Sequence, residues 1–223
     1  MSELITIQDL STNSSSFMER KEFYDKQIEE YWQGIKHTQY VHIVDVFLVN
    51  QVGELIIQKR SHTKNHNPWL LDKTIGGHVQ RWDTVDYSVM LETVQELQVP
   101  SIVFNDHDNF EKRFDLLKEY LQTIALIKHI DSKLYMMPKI MKGRIIPIGN
   151  MVHLFFGVYG GRVKNIDAEA KGILFYTIDE LLMEINNIPQ LFTEDLKILL
   201  THYEPQLREF IASIQTKIKE TNI

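Results

Sequence analysis

Two glutamates and a pair of glycines are the residues of this chain whose types and spacing could do chemistry. Glu92 and Glu96 are four residues apart, so a helix would place both carboxylates on one side. Gly76 and Gly77 precede them, at the end of a short apolar run where bare backbone can approach a ligand closely. Carboxylate and carbonyl oxygens are the ligands that Mg²⁺ prefers. Taken alone, the glutamate pair is more simply a solvated helix face, and a site for a hard divalent cation is the functional alternative.

A helix must hold the two glutamates. The pattern predicts one over about 85–97, stopped by Pro100. On a helical wheel Glu92, Gln95 and Glu96 fall together. We expect the helix to bury its other side and to aim the carboxylates at the glycines. The apolar residues of that other side are Tyr87, Met90, Val94 and Leu97.

The elements before the glycines read as a helix and a hairpin. Residues 1–15 are polar, and Ser16 with Glu19 forms a capping box for a helix over about 17–33. Residues 40–60 are rich in Val, Ile and Phe around a turn at 50–53, which predicts a β-hairpin. The polar loop 61–72 then leads to a short strand that ends in the glycines.

The second half alternates helical and strand patterns. Apolar spacing predicts a helix over about 109–122, and Thr177 with Glu180 forms a capping box. Thr193 caps a further helix, and Pro205 fits the first turn of a last one. Strands are predicted over about 124–130, 134–140, 151–158 and 173–176.

Composition bounds the function. The chain has 223 residues, 43% of them hydrophobic and 24% charged, which is typical of a globular protein. A net charge of −6 argues against nucleic acid and acidic membranes as partners. No cysteine is present, which excludes disulfides, a cysteine nucleophile and cysteine-bound zinc. With no long apolar run and no basic leader at Met1, we expect a cytoplasmic protein.

The strands and helices interleave and offer no linker or repeat. We therefore expect a single α+β domain over 1–223. Its parts would be an N-terminal helical extension over 1–38, a core over 39–203 with a helical insertion at about 100–122, and a C-terminal helix over 204–223. The terminal helices carry apolar stripes that either the core or a second copy of the chain, in a homodimer, must cover.

The glycine-to-helix stretch resembles the signature of Nudix hydrolases, G-x5-E-x7-R-E-U-x-E-E-x-G-U. With the first glycine at Gly77, Glu92 falls on the glutamate of the Arg-Glu pair, and Gln95 and Glu96 fall on the Glu-Glu pair. The spacing is kept without a gap. Leu91, Gln95 and Gln98 replace an arginine, a glutamate and a glycine, and Asp83 replaces the early glutamate with a shorter acid. This signature stretch, the Nudix box, is therefore degenerate.

The sequence around the box extends the resemblance over about residues 40–203. Gln58 to Ser61, His66 to Pro68 and Thr74 to Val79 resemble the isopentenyl-diphosphate-isomerase-like subgroup of the Nudix superfamily. The resemblance implies a Nudix-like α/β/α sandwich with a mixed sheet, to which the N- and C-terminal helices would be additions.

The resemblance also implies a function, cleavage of a diphosphate linkage in a small phosphorylated molecule with Mg²⁺ or Mn²⁺. Glu92 and Glu96 would then be catalytic, with Glu92 orienting or deprotonating water and Glu96 as the main metal ligand. Gln95 would be a weakened metal ligand, and the backbone carbonyl at or next to Gly77 a further one. An acid such as Glu169 serves as the general base in some members, although a surface role is the plainer interpretation here.

Candidate substrate-binding residues lie near the box in sequence. They are Arg60, Lys73, His78 and Arg81, with Arg60 favoured because it ends a strand beside the proposed site. For any one of the basic residues, a solvated surface position is the alternative.

Three functions remain open from the sequence. The first is the metal-dependent diphosphate hydrolase. The second is a Nudix-fold binding or regulatory module whose degenerate box no longer cleaves, which the changes at Leu91, Gln95 and Gln98 favour. The third, an isopentenyl-diphosphate isomerase, is disfavoured because the chain has no cysteine to act in catalysis.

Overall fold

A computed structural model describes residues 3–64, 66–141, 143–163 and 170–220. The helices are α1 (Arg20–Trp32), α2 (Val85–Leu97), α3 (His107–Leu117), α4 (Ile178–Asn187) and α5 (Glu194–Lys219), with 3-10 turns at Lys118–Tyr120 and Pro189–Leu191. The strands are β1 (Leu4–Asp9), β2 (Ser15–Glu19), β3 (Gln39–Val49), β4 (Leu55–Arg60), β5 (Leu71–Asp72), β6 (Ile75–His78), β7 (Ser101–Phe104), β8 (Ala125–Met141), β9 (Arg144–Val158) and β10 (Ala170–Tyr176).

The strands form one mixed sheet with the order β10-β4-β3-β9-β8-β7. β3 pairs with β9 and β7 pairs with β8 in parallel, whereas β8 with β9 and β4 with β10 are antiparallel. The short strand β6 pairs antiparallel with β3 and brings the glycines beside its middle. The expected α+β class and mixed sheet are confirmed.

Alternation along β3 divides the core into two layers. Val41, Ile43 and Phe47 pack in one cluster with α1, α3, α4 and α5. Val44 and Val46 point the other way and pack in a second cluster with α2. Because successive side chains of a strand face opposite sides, one strand serves both layers. Helices therefore cover both faces of the sheet, as the expected sandwich requires.

Helix α2 has the expected bounds but not the expected buried side. Thr84 caps its start by accepting a hydrogen bond from the Tyr87 backbone N–H. Tyr87 and Val94 are about half exposed, whereas Val89, Thr93 and Glu96 are buried. Of the predicted apolar side only Leu97 is fully buried, because the side that carries Thr93 and Glu96 also packs on the sheet.

Helix α2 ends at a residue with a left-handed backbone conformation, at the position where the signature has a glycine. Gln98, at that glycine's position, has φ 54 and ψ 35 in the left-handed region. Its backbone N–H closes the helix on the Thr93 and Val94 carbonyls. Residues with a Cβ rarely adopt this conformation, which glycine adopts freely. Gln98 thus adopts a conformation that favours glycine, at the position where the signature has a glycine.

The N-terminal region is not simply a helical extension. β1 and β2 form a hairpin where no strand was predicted, with β2 over residues that include the predicted start of the helix, and β1 also pairs with β3. Ser16 lies within β2, and α1 begins after Glu19 without a side-chain cap, so the predicted capping box was wrong. Pairing with the edge of a sheet overrides the weak local signal of these polar residues.

Two later boundaries also differ. The predicted break near residues 131–133 is a bulge inside β8, because an irregular register between His129 and Asp131 lets the polar residues stay paired with β9. Pro205 lies inside α5 instead of starting a separate helix. Residues before and after it pack on the core, which offsets the hydrogen bond that proline cannot donate. They are Leu199, Leu200, Leu207, Phe210 and Ile214.

The apolar stripe of α5 is therefore covered by the core. On α1, by contrast, Tyr31 and Trp32 remain exposed. None of the described helices has the length and apolar character needed to cross a bilayer.

Candidate functional site

A cleft of about 460 Å³ opens where β6 meets α2. Its walls come from α1, β3, β6 and α2, from the loop after β4, and from Lys139 on β8 and Asp195 on α5. The loop contributes Lys64, His66 and Asn67, and the cleft is lined mainly by polar and charged side chains. Elements far apart in sequence thus converge on the glycine pair.

The two glycines of β6 face opposite layers. Gly76 pairs with Asp45 and Gly77 with Val44 across the strands. A Cβ on Gly76 would lie 3.2 Å from the Asp45 carboxylate, and a Cβ on Gly77 would overlap the Glu92 side chain. Glycine at Gly77 is therefore what lets a carboxylate of α2 lie against this backbone.

Glu96 lies one turn further along α2 and is buried, with 3% of its surface exposed. The side-chain amide of Gln58 on β4 donates to Glu96 Oε2 at 3.2 Å. Glu92 is half-buried and Gln95 is exposed at the rim of the cleft. The helix therefore presents carboxylates at two depths of the same cleft.

A second group of charges lies on the Gly76 side. Lys73 Nζ is 3.1 Å from Asp45 and 3.3 Å from Asp72. Arg60 contacts Asp72 at 3.0 Å, and the Thr193 hydroxyl donates to Asp72 at 2.7 Å. We call these five residues the ion-pair cluster. It ties β3, β4, β5 and the start of α5 together.

The ion-pair cluster controls the pKa values of its own carboxyls. Burial raises the pKa of Asp45 to about 6, because Lys73 compensates only part of the desolvation and Asp195 and Asp72 add like charge. Burial also acts on Asp72, but Lys73 and Arg60 outweigh it and hold that pKa at about 2. With two cations facing three acids, Asp45 is the carboxyl that takes up a proton most readily.

His78 faces the layer of α1. Its Nε2 lies 2.9 Å from the Tyr24 hydroxyl, and Lys139 Nζ lies 3.0 Å from the same hydroxyl. Burial lowers the pKa of His78 well below the usual value, and the cations Arg20 and Lys139 lower it further. His78 is thus a neutral group between the glycines and α1.

The structure places all but one of the predicted site residues in this cleft. Arg81 is the exception, because its guanidinium stacks over Phe17 and Trp82 at 5.3 and 4.7 Å on another surface. Glu169 lies outside the described residues. The residues in the cleft are Arg60, Lys73, Gly77, His78, Glu92, Gln95 and Glu96.

Sequence reasoning missed eight charged or polar residues of the cleft, including Glu3, Arg20 and Gln80. Only Asp45 gave a signal, as an acid inside an otherwise apolar strand. The other missed residues have no pattern of their own and arrive by tertiary packing. The remaining four are Tyr24, Asp72, Lys139 and Asp195.

Two carboxylates and a backbone carbonyl could hold a hydrated cation. Among the described residues, no three His, Asp or Glu side chains are arranged to bind a metal by themselves. Mg²⁺ usually keeps several waters and needs only one or two carboxylates together with substrate phosphates. Glu92 and Glu96, with Glu92 packed against the Gly77 backbone, fit that kind of site.

Comparisons with known proteins agree with this geometry. The chain is 35% identical over 74 residues to the uncharacterized Nudix hydrolase all7351 of Nostoc sp., covering 33% of this chain and 42% of that one. It is 34% identical over 59 residues to the Nudix hydrolase YfcD of Escherichia coli, covering 26% and 33%. The matches thus span less than half the length of these curated relatives. No family model matches the chain.

A solved structure shares the fold over most of the chain. The crystal structure of DR0079 from Deinococcus radiodurans covers 90% of this chain and 98% of its own, with a TM-score of 0.60 at 17% identity. At that identity the likeness shows the fold alone. The structure thus shows a shared fold, and the curated relatives show a similarity to Nudix hydrolases over part of the chain.

Proposed function

We propose that this chain hydrolyses a diphosphate linkage in a small phosphorylated molecule, with Mg²⁺ or Mn²⁺ as cofactor. One observation carries the proposal, the meeting of the α2 carboxylates with the glycine backbone of β6 inside a polar cleft. The names of the curated relatives support the reaction class.

The role proposed for each side chain of α2 follows from its depth in the cleft and from the residues that it contacts. Glu96 is buried and oriented by Gln58, so it would supply a fixed carboxylate to the cation. Glu92 is half-buried against Gly77 and would orient an attacking water and accept its proton. When bound, the cation would neutralise phosphate oxygens and make the water more acidic. Gln95 offers at most one neutral oxygen at the rim.

The basic side of the cleft would receive the phosphates. Arg60 and Lys73 are both engaged by Asp72, so their first task is to hold the ion-pair cluster. Their positive charge still reaches the cleft that they line, which favours an anionic ligand over a neutral one.

A turnover assay tests the proposal. The full chain would be incubated with nucleoside diphosphate derivatives and other small diphosphates, with Mg²⁺ or Mn²⁺, and product release measured. We expect turnover by the wild type, loss of turnover in Glu96→Gln, and retention in Asp86→Asn, which changes an acid of the same helix outside the cleft. Unchanged turnover in Glu96→Gln would contradict the proposed site.

A binding or regulatory module is the second candidate. The observation that favours it is the lack of a three-acid cluster among the described residues, with the neutral Gln95 where the signature has a glutamate. Ligand binding without turnover in wild type, together with turnover gained in Gln95→Glu, would favour the module over the hydrolase.

A further inference from the structure

Lys139 differs from the other cations of the cleft. Its Nζ donates to the Tyr24 hydroxyl at 3.0 Å and lies 5.1 Å from the centre of that ring. Arg20, Arg60 and Lys73 each contact a carboxylate at 2.8 to 3.1 Å. Over the part of the chain that the structure describes, no carboxylate oxygen lies within 4.0 Å of Lys139. Among the described residues, this ammonium therefore has no contacting carboxylate.

The hydrogen bonds around Tyr24 run in one direction. An ammonium can only donate, so the Tyr24 oxygen accepts from Lys139 and its proton goes to His78 Nε2, 2.9 Å away. His78 then carries its proton on Nδ1, 3.7 Å from Glu3. The chain of contacts fixes the Tyr24 oxygen, which in turn fixes Lys139 and leaves two of its three N–H donors for the cleft.

The ammonium keeps its charge at neutral pH. Burial opposes the charged form, but Tyr24 and Asp195 raise the pKa of Lys139 above the usual value. A half-buried charge with no contacting carboxylate among the described residues marks a position that an anion would stabilise.

His66, beside Tyr24, has a ring nitrogen without a hydrogen-bond partner among the described residues. Its ring centroid is 5.4 Å from that of Tyr24, and its Nδ1 is buried with no hydrogen-bond partner among the described residues. Burial lowers the pKa of His66 to about 4, and the charges of Lys139 and Arg20 contribute. The other ring nitrogen donates to the Ile140 backbone, so Nδ1 of the neutral ring can accept a hydrogen bond from a ligand hydroxyl.

We propose that Lys139, held by Tyr24, binds the terminal phosphoryl group of the substrate, so that the substrate class is diphosphates with a free terminal phosphate and not diphosphates esterified at both ends. A terminal phosphate carries close to two negative charges, which an esterified one does not. The cleavage rests on the proposed function, but the binding does not.

Both ends of the cleft are anchored on β6. Gly77 packs against Glu92, and the next residue, His78, holds Tyr24. Glu92, Glu96 and Lys139 line the same cleft of about 460 Å³, so one compact ligand can reach them together.

Binding of inorganic pyrophosphate to the full chain, in EDTA and measured by calorimetry, tests the subsite without turnover. We expect Lys139→Met to weaken binding at least tenfold and Lys139→Arg to keep it within about threefold, since the charge is retained. Lys133→Met is the control, because Lys133 lies on the same strand but outside the cleft. No binding by wild type, or equal losses in Lys139→Met and Lys133→Met, would overturn the proposal.

A second test uses only the wild type, so it remains valid if Lys139→Met does not fold. Pyrophosphate should protect Lys139, but not Lys133, from acylation by acetic anhydride, as read by peptide mass spectrometry. Equal modification of Lys139 with and without pyrophosphate would overturn the subsite.

Turnover then separates this proposal from the proposed function. With Mg²⁺, the wild type should prefer a nucleoside diphosphate to a nucleotide sugar, and Lys139→Met should lose that preference at least tenfold. Lys139-dependent pyrophosphate binding with no turnover of any substrate would sustain the subsite and defeat the hydrolase. Preference for the nucleotide sugar would overturn the substrate class.

Discussion

Two groups of buried charge face the same cleft and differ in what surrounds them. In the ion-pair cluster, Lys73 and Arg60 contact Asp45 and Asp72 at 3.0 to 3.3 Å, and four elements are tied together. On α2, Glu96 is held by the neutral amide of Gln58, and Glu92 lies against glycine backbone. The first group ties four elements of the fold together, whereas the second presents carboxylates of a single helix to the cleft.

Replacing Glu92 should separate the two groups most strongly. We expect Glu92→Gln to lower kcat/KM by about 10²- to 10⁴-fold, the usual contribution of a general base, with the free energy of unfolding changed by less than about 1 kcal/mol. Steady-state kinetics and urea unfolding measure the two effects. Asp86→Asn on the same helix should change neither, and an equal rate loss there would mean that α2 is merely disturbed.

Replacing Lys73, in the ion-pair cluster, should instead act on the stability of the fold. Lys73→Met leaves Asp45 and Asp72 buried without their shared cation, so we expect a loss of about 3–5 kcal/mol in the free energy of unfolding. Urea denaturation at pH 7 measures it, with the exposed Lys36→Met as control. A loss below about 1 kcal/mol would show that the cluster is not what holds these strands.

The raised pKa of Asp45 gives a pH test of the same cluster. Because Asp45 ionises at about 6 in the folded chain and at 3.8 when unfolded, its contribution to the free energy of unfolding falls as pH rises from about 4 to 6. The fall should be on the order of 2–3 kcal/mol. Asp45→Asn should abolish it.

The difference between the wild-type and Asp45→Asn curves isolates this group, since other titrations act in both proteins. His66, for example, has a lowered pKa and changes stability in the opposite direction over a similar range. Parallel curves from pH 4 to 6 would show that Asp45 is not the carboxyl that takes up the proton.

The smallest expected effect concerns a residue outside both groups. Arg81→Met removes two exposed cation–π contacts, with Phe17 and Trp82, and should cost about 0.5–1 kcal/mol of stability. Since Arg81 does not line the cleft, KM and kcat should stay within about twofold. A large rise in KM would instead place Arg81 in substrate binding, as its sequence position first indicated.

Local patterns were sufficient for part of the fold. The strands β3 and β4, which pair only at Val49 and Leu55 beside the turn, and the helix over 85–97 follow from local signals that act over a few residues. The β1–β2 hairpin, the bulged β8 and the unbroken α5 could not be predicted in this way. Each depends on pairing or packing with residues far away in the chain.

The sequence by itself determined the spacing of Glu92 and Glu96 and their relation to Gly77, because helix periodicity and glycine chemistry are local. Only the tertiary structure decided what faces them. Asp72 and Lys139 reach the cleft on separate strands, and the alternation of β6 assigns Gly76 and Gly77 to opposite layers. Charges that meet across a sheet share no sequence pattern, so their pairing, and the lack of a contacting carboxylate at Lys139 within the described chain, emerge only on folding.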